Sequence, residues 1–300
     1  MMSANQVDNL TNILDGRATA NSILDELKLE VDKMKMEGKR PPHLAVILVG
    51  GDGASRTYVK NKVAACEKVG FLSTHLQFEN SVSEEDILGE IDKVNNDPEI
   101  DGLIVQLPLP EQIDPSKVTQ RIHPAKDVDG FTVENFGRIA SKLPAYQPAT
   151  PFGVLELLRR YHIDTTGKHC VIVGYSRIVG APLSMLLAGP GKATVTCCHI
   201  YTRNLSFHTL QADILIVAVG KPGLITGDMV KEGAVVVDVG TTRVQDLTKK
   251  RGYALLGDVV FEEVAPKASY ITPVPGGVGP MTIASLLINT LHAASKNIYP

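Results

Sequence analysis

The stretch that decides the fold is His43-Leu44-Ala45-Val46-Ile47-Leu48-Val49, and it is followed at once by Gly50 and Gly51. An unbroken apolar run that ends at glycine is typical of a strand buried on both faces of a sheet. The flanking residues, 18–36 and 55–69, instead repeat apolar residues at helical spacing. Buried strands that alternate with amphipathic helices predict an α/β fold with a mainly parallel sheet.

The same alternation runs along the chain in two blocks, which the proline-rich polar segment 144–153 separates. Further strands are predicted at 72–78, 103–106, 170–173, 193–198, 214–218 and 234–239, and further helices at 83–95, 151–161, 281–294 and from residue 179. We therefore predict two domains, each with a mainly parallel sheet flanked by helices. Residues 149–274 form a Rossmann-like domain, while 1–148 and 275–300 form the other, to which the last helix returns. The sequence shows no internal repeat.

Composition excludes several classes of protein. The 300 residues are 44% apolar and 21% charged, with a formal net charge of −3, which gives no electrostatic footprint for nucleic acid. No basic helix suggests a membrane surface, no apolar stretch is long enough to cross a bilayer, and residues 1–14 lack a secretory signal. Four cysteines form no C-x-x-C pair and predict reduced thiols: Cys66, Cys170, Cys197 and Cys198. We expect a soluble, cytoplasmic protein without a metal site.

A candidate nucleotide site lies in the second block, in the run Val173-Gly174-Tyr175-Ser176-Arg177-Ile178-Val179-Gly180. The run is similar to the dinucleotide fingerprint, but Ser176 replaces the middle glycine. Gly174 allows a tight turn, Ser176 can cap the helix or donate to a phosphate, and the helix N-terminus attracts anions. Two glycines in a βα turn are also compatible with an ordinary connection, so the run alone leaves both interpretations open.

A second candidate is the uncharged loop Thr272-Pro273-Val274-Pro275-Gly276-Gly277-Val278-Gly279-Pro280-Met281-Thr282. Proline fixes φ, and glycine lets the backbone approach a flat ligand closely. Pro280 suits the first turn of the helix that follows. The loop is therefore interpreted as a rigid wall of a binding cleft rather than as a plain connector.

The remaining candidates lie in the first block. Tyr58 and Lys62 are four residues apart and share a helix face. A lysine in an apolar cleft would exchange protons near neutral pH, although most helix lysines are only solvated. Gln106 ends a parallel strand, where α/β sheets place ligand contacts. Asp129 lies near the same edge and is alternatively a turn cap.

These motifs together closely resemble the bifunctional methylenetetrahydrofolate dehydrogenase/methenyltetrahydrofolate cyclohydrolases. The likeness runs from Leu14 to the last helix. It is carried, in order, by Ala54-Ser55-x-x-Tyr58-Val59-x-x-Lys62, Val105-Gln106-Leu107-Pro108-Leu109-Pro110, Lys126-Asp127-Val128-Asp129-Gly130, Pro148-Ala149-Thr150-Pro151 and the loop 272–282.

The resemblance implies a role for each matching residue. Lys62 would be the general acid/base, with Tyr58 stacked on the folate and Gln106 orienting the lysine. Asp129 would bind the pterin ring, and four further residues would contact the substrate: Ser55, Pro275, Gly276 and Gly277. The nicotinamide dinucleotide would be lined by Thr150, Gly174, Tyr175, Ser176, Arg177, Gly180, His199 and Thr241. The domain 1–148 plus 275–300 would then bind folate and the domain 149–274 would bind NAD(P).

The coenzyme is expected to be NADP, with NAD as the other possibility. Many family members have arginine after the first glycine, where this chain has Tyr175, and a polar or basic residue where it has Ile200. Neither position is acidic, so the carboxylate that NAD sites use for the ribose is missing as well. Arg177 or Arg203 would supply a positive charge instead.

Two other functions stay open from the residues, namely an NADP-dependent shikimate-type dehydrogenase and a folate-binding protein without catalysis. A symmetric homodimer is the default assembly. The expected partners are tetrahydrofolate derivatives, with neither nucleic acid nor membrane.

Overall fold

The computed structural model describes residues 13–51, 53–249 and 252–299, without the side chain of Ala54. Most of the segment 1–14, for which the sequence predicts no secretory signal, lies outside the described residues. The chain divides into two compact units. The first unit comprises Ala20–Ala149 and Ile283–Pro300, and the second comprises Thr150–Thr282 with the segment that ends at Thr19. The limits and roles given above for the two domains stay predictions.

The first unit is built on a three-stranded parallel sheet with the order β2-β1-β3. Its strands are β1 (His43–Val49), β2 (Leu72–Phe78) and β3 (Gly102–Val105). Its helices are α1 (Gly16–Met36, which begins in the second unit), α2 (Gly53–Val69), α3 (Glu84–Asn96), α4 (Pro115–Arg121) and α5 (Val133–Ala140). Ser83 caps α3 as predicted, because its side chain accepts the N–H of Asp86.

The second unit is built on a five-stranded parallel sheet with the order β10-β7-β6-β4-β5 and a separate antiparallel pair, β8-β9. The strands are β4 (His169–Val173), β5 (Thr194–Cys198), β6 (Ile214–Val217), β7 (Val235–Asp238), β8 (Thr242–Gln245), β9 (Tyr253–Leu256) and β10 (Tyr270–Ile271). The helices are α6 (Ala149–Arg160), α7 (Gly180–Ala188), α8 (Leu205–Thr209), α9 (Phe261–Val264) and α10 (Val278–Ala294, which from Ile283 belongs to the first unit). The α/β class and the return of the last helix are confirmed. None of the described helices is long and apolar enough to cross a membrane.

Strand β1 is the centre of the first core. Its residues from Leu44 to Val49 are at most 2% exposed. One face of the strand packs in the same apolar cluster as Ile87, Ile91 and Val94 of α3. Each such side chain contributes roughly 1.5–3 kcal/mol by leaving water. The buried run therefore holds β1 in the middle of the sheet.

A polar cluster fixes the amino-terminal end of this sheet. The main-chain N–H of His43 donates to Asp101 Oδ2 at 2.8 Å, and the His43 ring bonds to Thr74 Oγ1 at 2.8 Å and to the Glu99 carbonyl at 2.9 Å. Arg40 donates to both carboxylate oxygens of Asp101, at 2.7 and 2.8 Å. The cluster ties the starts of all three strands together.

The second unit repeats this arrangement at the start of β4. The N–H of His169 donates to Asp213 Oδ2 at 2.9 Å, and the His169 ring bonds to Thr196 Oγ1 at 2.9 Å and to the Gln211 carbonyl at 3.1 Å. Lys231 takes the place of the arginine and reaches Asp213 Oδ1 at 2.6 Å. Since β5-β4-β6 also has the topology of β2-β1-β3, the chain contains a structural repeat. This repeat is structural and is not visible as a repeat in the sequence, because only a few polar residues and the strand order recur.

We expect Asp101→Ala to lower the free energy of unfolding by roughly 1.5–3 kcal/mol, the range for hydrogen bonds that involve a charged group. The substitution removes the carboxylate that accepts hydrogen bonds from Arg40 and from the N–H of His43. The control is Glu37→Ala, which removes the exposed Lys39–Glu37 ion pair and should leave the free energy of unfolding nearly unchanged, because solvent screens exposed ion pairs. Urea denaturation of the two variants measures both free energies of unfolding. Equal decreases in the two variants would contradict the stabilising role of the cluster.

Candidate functional site

Lys62 occupies a buried position of α2. It lies on the same helix face as Val59, Cys66 and Val69, and its own exposed fraction is 5%. Solvent exposure, the plain expectation for a helix lysine, holds for Lys60 on the same helix but not for Lys62. A lysine at an apolar position of a helix stripe must either find a partner or lose its charge.

The partners of Lys62 come from α2 itself and from the end of β3. Nζ donates to Gln106 Oε1 at 3.1 Å and lies 5.4 Å from the ring centroid of Tyr58, one turn earlier. Gln106 directly follows β3, and its Nε2 donates to the Leu107 carbonyl at 2.7 Å. That second bond turns the amide oxygen toward the lysine. The structure thus brings Tyr58, Lys62 and Gln106 together, and their roles in catalysis stay a prediction.

Asp129 completes the group electrostatically. Burial lowers the pKa of Lys62, while the charges of Asp129 and Cys66 oppose the shift. Burial likewise raises the pKa of Asp129, and the charge of Lys62 opposes that shift. The pKa values of the amine and the carboxyl therefore move toward each other, which favours proton exchange by these two groups.

Ser55 lies on α2 one turn before Tyr58 and is buried. The other predicted substrate residues, Pro275, Gly276 and Gly277, belong to the second unit. The N–H of Arg17 donates to the Gly276 carbonyl at 2.9 Å, so the beginning of α1 holds this loop.

Helix α10 begins at Val278, three residues before the predicted start. The predicted start at Met281 was wrong, whereas Pro280 lies in the first turn as predicted, where backbone N–H groups have no helical acceptor and a proline removes no hydrogen bond. The turn before the helix is tight: a Cβ on Gly277 would lie 2.7 Å from the Pro273 carbonyl oxygen. Only glycine fits there.

The candidate nucleotide turn needs both of its glycines. Gly174 has a φ of +110°, and a Cβ there would lie 2.2 Å from the Ala218 carbonyl oxygen. A Cβ on Gly180 would lie 1.9 Å from the Gly174 carbonyl oxygen. Ser176 Oγ accepts the N–H of Val179 at 3.2 Å just before α7. Tyr175, Ser176 and Arg177 are exposed at the start of this helix. This backbone cradle and the adjoining helix N-terminus fit a pyrophosphate.

The other predicted coenzyme residues lie in the same unit. Thr150 Oγ1 and Thr282 Oγ1 form a hydrogen bond of 3.1 Å. His199 follows β5, and its Nδ1 accepts the N–H of Tyr201 at 3.2 Å. Thr241 is exposed in the connection between β7 and β8. Among the described residues, no cluster of three His, Cys, Asp or Glu side chains could hold a metal ion.

The sequence analysis missed two buried carboxylates at the carboxyl edge of the second sheet. Asp258 Oδ2 accepts the N–H groups of Val219 and Gly220, at 2.7 and 2.9 Å. Asp238 Oδ1 accepts those of Gly240 and Asp258, at 2.9 and 3.1 Å, and burial raises the pKa of Asp238 to about 6. The pair holds the turns after β6 and β7. An aspartate that closes a buried apolar strand is the signal that could have identified Asp238.

Comparison with known proteins gives a consistent result over the whole chain. Residues 14–129 match the family model described as tetrahydrofolate dehydrogenase/cyclohydrolase, catalytic domain, and residues 148–298 match its NAD(P)-binding domain. The bifunctional protein FolD of Cytophaga hutchinsonii is 58% identical over 286 residues, which cover 94% of this chain and 99% of that protein.

Solved structures agree. The bifunctional FolD enzyme of Campylobacter jejuni has 46% identity and a TM-score of 0.90, and the match covers 95% of this chain and 99% of that one. The dehydrogenase-cyclohydrolase of Trypanosoma brucei, solved with NADP cofactor and inhibitor, has 38% identity and a TM-score of 0.90 and covers 95% of this chain and 98% of that one. The family resemblance inferred from the motifs is confirmed, and the chain belongs to the tetrahydrofolate dehydrogenase/cyclohydrolase family.

Proposed function

We propose that this protein oxidises methylenetetrahydrofolate to methenyltetrahydrofolate and then hydrolyses that product to 10-formyltetrahydrofolate. The observation that carries the proposal is the buried amine of Lys62, bonded to Gln106 and facing the charge of Asp129. Family membership favours this function over a shikimate-type dehydrogenase. The intact set of Tyr58, Lys62, Gln106 and Asp129 favours a catalyst over a folate-binding protein without activity.

Lys62 acts on protons in the hydrolysis step. Burial lowers the pKa of its ammonium and so favours the neutral amine, the form that can accept a proton. The amine takes one proton of the water that attacks the methenyl carbon and passes it to the ring nitrogen as the bond between that nitrogen and the carbon breaks. The second proton of the water is released to solvent as the formyl carbonyl forms. Gln106 holds Nζ in place by accepting its hydrogen bond, and Tyr58 covers the amine and stacks on the folate.

In the oxidation step the residues bind and orient. Asp129 hydrogen-bonds the pterin ring. Ser55 and the loop residues Pro275, Gly276 and Gly277 contact the substrate, the glycines through exposed backbone. When bound, the dinucleotide supplies the hydride acceptor. The alignment of the methylene carbon with that acceptor is the main contribution of the protein to this step.

The dinucleotide site is assigned to residues of the second unit. Gly174, Ser176 and Gly180 form the turn for the pyrophosphate, and the other residues assigned to the site are Thr150, Tyr175, Arg177, His199 and Thr241. The catalytic-domain and NAD(P)-binding models cover 14–129 and 148–298, which supports folate binding by 1–148 plus 275–300 and coenzyme binding by 149–274.

For the coenzyme itself we infer a preference for NADP over NAD that is weaker than in relatives with arginine after the first glycine. Tyr175 and Ile200 are 52% and 92% exposed and carry no charge. Arg177 and Arg203 are exposed in the same unit and supply the positive charge for a 2′-phosphate. The NADP complex of the Trypanosoma brucei relative supports this choice.

A homodimer and a cytoplasmic location are part of the proposal. Closed twofold dimers are the commonest assemblies among soluble homo-oligomers. The four cysteines are all free thiols, which suits a reducing compartment.

Lys62→Met should reduce cyclohydrolase turnover by roughly 10²–10⁴-fold, the range for general acid/base catalysis. The fold should persist because methionine fills the same apolar space. Lys60→Met, on the exposed side of the same helix, is the matched control and should leave turnover unchanged. Hydrolysis of methenyltetrahydrofolate, followed by its absorbance, measures both. Turnover of Lys62→Met within a factor of about two of the parent enzyme would overturn the assignment.

Asp129→Ala should weaken folate binding by roughly 1.5–3 kcal/mol, because charge-assisted hydrogen bonds to the pterin are lost. The affinity for the dinucleotide should stay the same. Titration calorimetry with tetrahydrofolate and with NADP tests both statements. A variant that keeps folate and loses the dinucleotide would refute the assignment of Asp129.

Tyr175→Arg should raise the NADP/NAD ratio of kcat/KM about tenfold, which corresponds to ~1.4 kcal/mol. The added guanidinium attracts the 2′-phosphate that only NADP carries. Tyr175→Phe, which adds no charge, should leave the ratio unchanged. Steady-state kinetics with both coenzymes decides the matter, and a parent enzyme that prefers NAD would contradict the proposal.

A further inference from the structure

Asp129 lies outside any helix or strand, so its orientation depends on what holds its neighbours. Its N-terminal neighbour Val128 is fully buried, and Gly130 has a φ of +71°. A Cβ on Gly130 would lie 2.7 Å from the Tyr146 carbonyl oxygen, so this turn packs directly against the segment around residue 147. The position of Asp129 is therefore set by contacts of the backbone on either side of it.

One side chain from the last helix links these two segments. Asn289 of α10 is 2% exposed, and its Nδ2 donates to the Val128 carbonyl at 2.8 Å and to the Gln147 carbonyl at 2.9 Å. Asn289 and Val128 are 161 residues apart in the chain. The Val128 carbonyl belongs to the same planar peptide as the nitrogen of Asp129. Fixing that carbonyl fixes the plane from which the Asp129 side chain projects.

Tyr299, near the end of the chain, also supports the turn that carries Asp129. The buried Asp127 carboxylate accepts the N–H groups of Phe131 and Thr132, at 3.0 and 2.8 Å, and the Nδ2 of Asn135 at 2.9 Å. Asn135 Oδ1 in turn accepts the hydroxyl of Tyr299 at 2.9 Å. The residues just before Asp129 are thus held through Asn289 at one point and through Tyr299 at another.

We propose that Asn289 is a positioning residue for Asp129: by fixing the Val128–Asp129 peptide it sets the affinity of the protein for the folate. The inference rests on the proposed role of Asp129. It assigns a function in substrate binding to a residue of the C-terminal helix that does not itself touch the substrate. A buried amide is costly unless it is hydrogen-bonded, and here both described donor contacts go to the two segments that shape the Asp129 turn.

The test is a double-mutant cycle between Asn289→Leu and Asp129→Ala. Leucine has the same branching of heavy atoms as asparagine and removes both donors, and because its methyl groups are larger than the amide it opens no cavity. We expect Asn289→Leu to raise the Kd for tetrahydrofolate and the KM for methylenetetrahydrofolate about tenfold, while the Kd for NADP stays the same. In the Asp129→Ala background the same substitution should raise the Kd for tetrahydrofolate less than about twofold, since the carboxylate that it positions is already gone.

Thr290→Val is the matched control. Thr290 is also buried on α10, but its hydroxyl donates only within the helix, to the Leu286 carbonyl at 2.9 Å. Its folate affinity should equal that of the parent protein. If Asn289→Leu does not fold, Asn289→Ser replaces it. Serine keeps one donor, so a smaller increase in Kd with the same non-additivity is expected.

Each result distinguishes this inference from the proposed function. Two outcomes overturn the inference while Asp129→Ala still weakens folate binding. In the first, Asn289→Leu leaves the Kd for tetrahydrofolate unchanged. In the second, Asn289→Leu raises that Kd as much in the Asp129→Ala background as in the parent protein, and Asn289 then does not act through Asp129. If Asp129→Ala leaves folate affinity unchanged, the assignment of Asp129 falls and the inference falls with it.

Discussion

The hydrogen bond from Lys62 Nζ to Gln106 Oε1 joins the inner face of α2 to the carboxyl end of β3. The bond forms in a buried position, so its geometry depends on the fixed positions of α2 and of the end of β3. Helix α2 is held by its buried apolar stripe, and the Gln106 N–H donates to the Ile47 carbonyl of β1 at 2.9 Å. Sheet pairing thus sets the position of the amide oxygen that accepts the hydrogen bond of the buried amine, and the proposed proton transfer by Lys62 depends on that placement.

A different constraint dominates the second unit, where the backbone itself forms the candidate site for the dinucleotide. Gly174 and Gly180 bring the chain so close to the Ala218 and Gly174 carbonyls that any side chain would collide. Asp258 then draws the N–H groups of the turn after β6 onto one carboxylate oxygen. A phosphate-sized ligand is best bound by backbone groups when their directions are fixed in advance, and these contacts fix them.

In each unit, the stabilising polar cluster lies at one end of the sheet and the candidate site residues lie at the other. The clusters around His43 and His169 tie together the strand starts, while the site residues Gln106 and Gly174 follow the strand ends. A substitution in a polar cluster is therefore separated from the candidate site of the same unit by the length of a strand. Because both the cluster and the strand order recur, the two units share the same βαβ arrangement.

The sequence by itself determined the α/β class, the limits of β1 and β2, the cap of α3 and the family. These follow from unbroken apolar runs, from a local serine–backbone bond and from motifs that are contiguous in the chain, so no distant contact was needed. Only the tertiary structure decided that Lys62 is buried whereas Lys60 on the same helix is not, because burial depends on which face of α2 meets the sheet. Likewise, Asn289 and Val128, or Asp258 and Val219, carry no mutual signal in the sequence. Their hydrogen bonds exist because packing brings distant segments together, and burial then requires each polar group to find a partner.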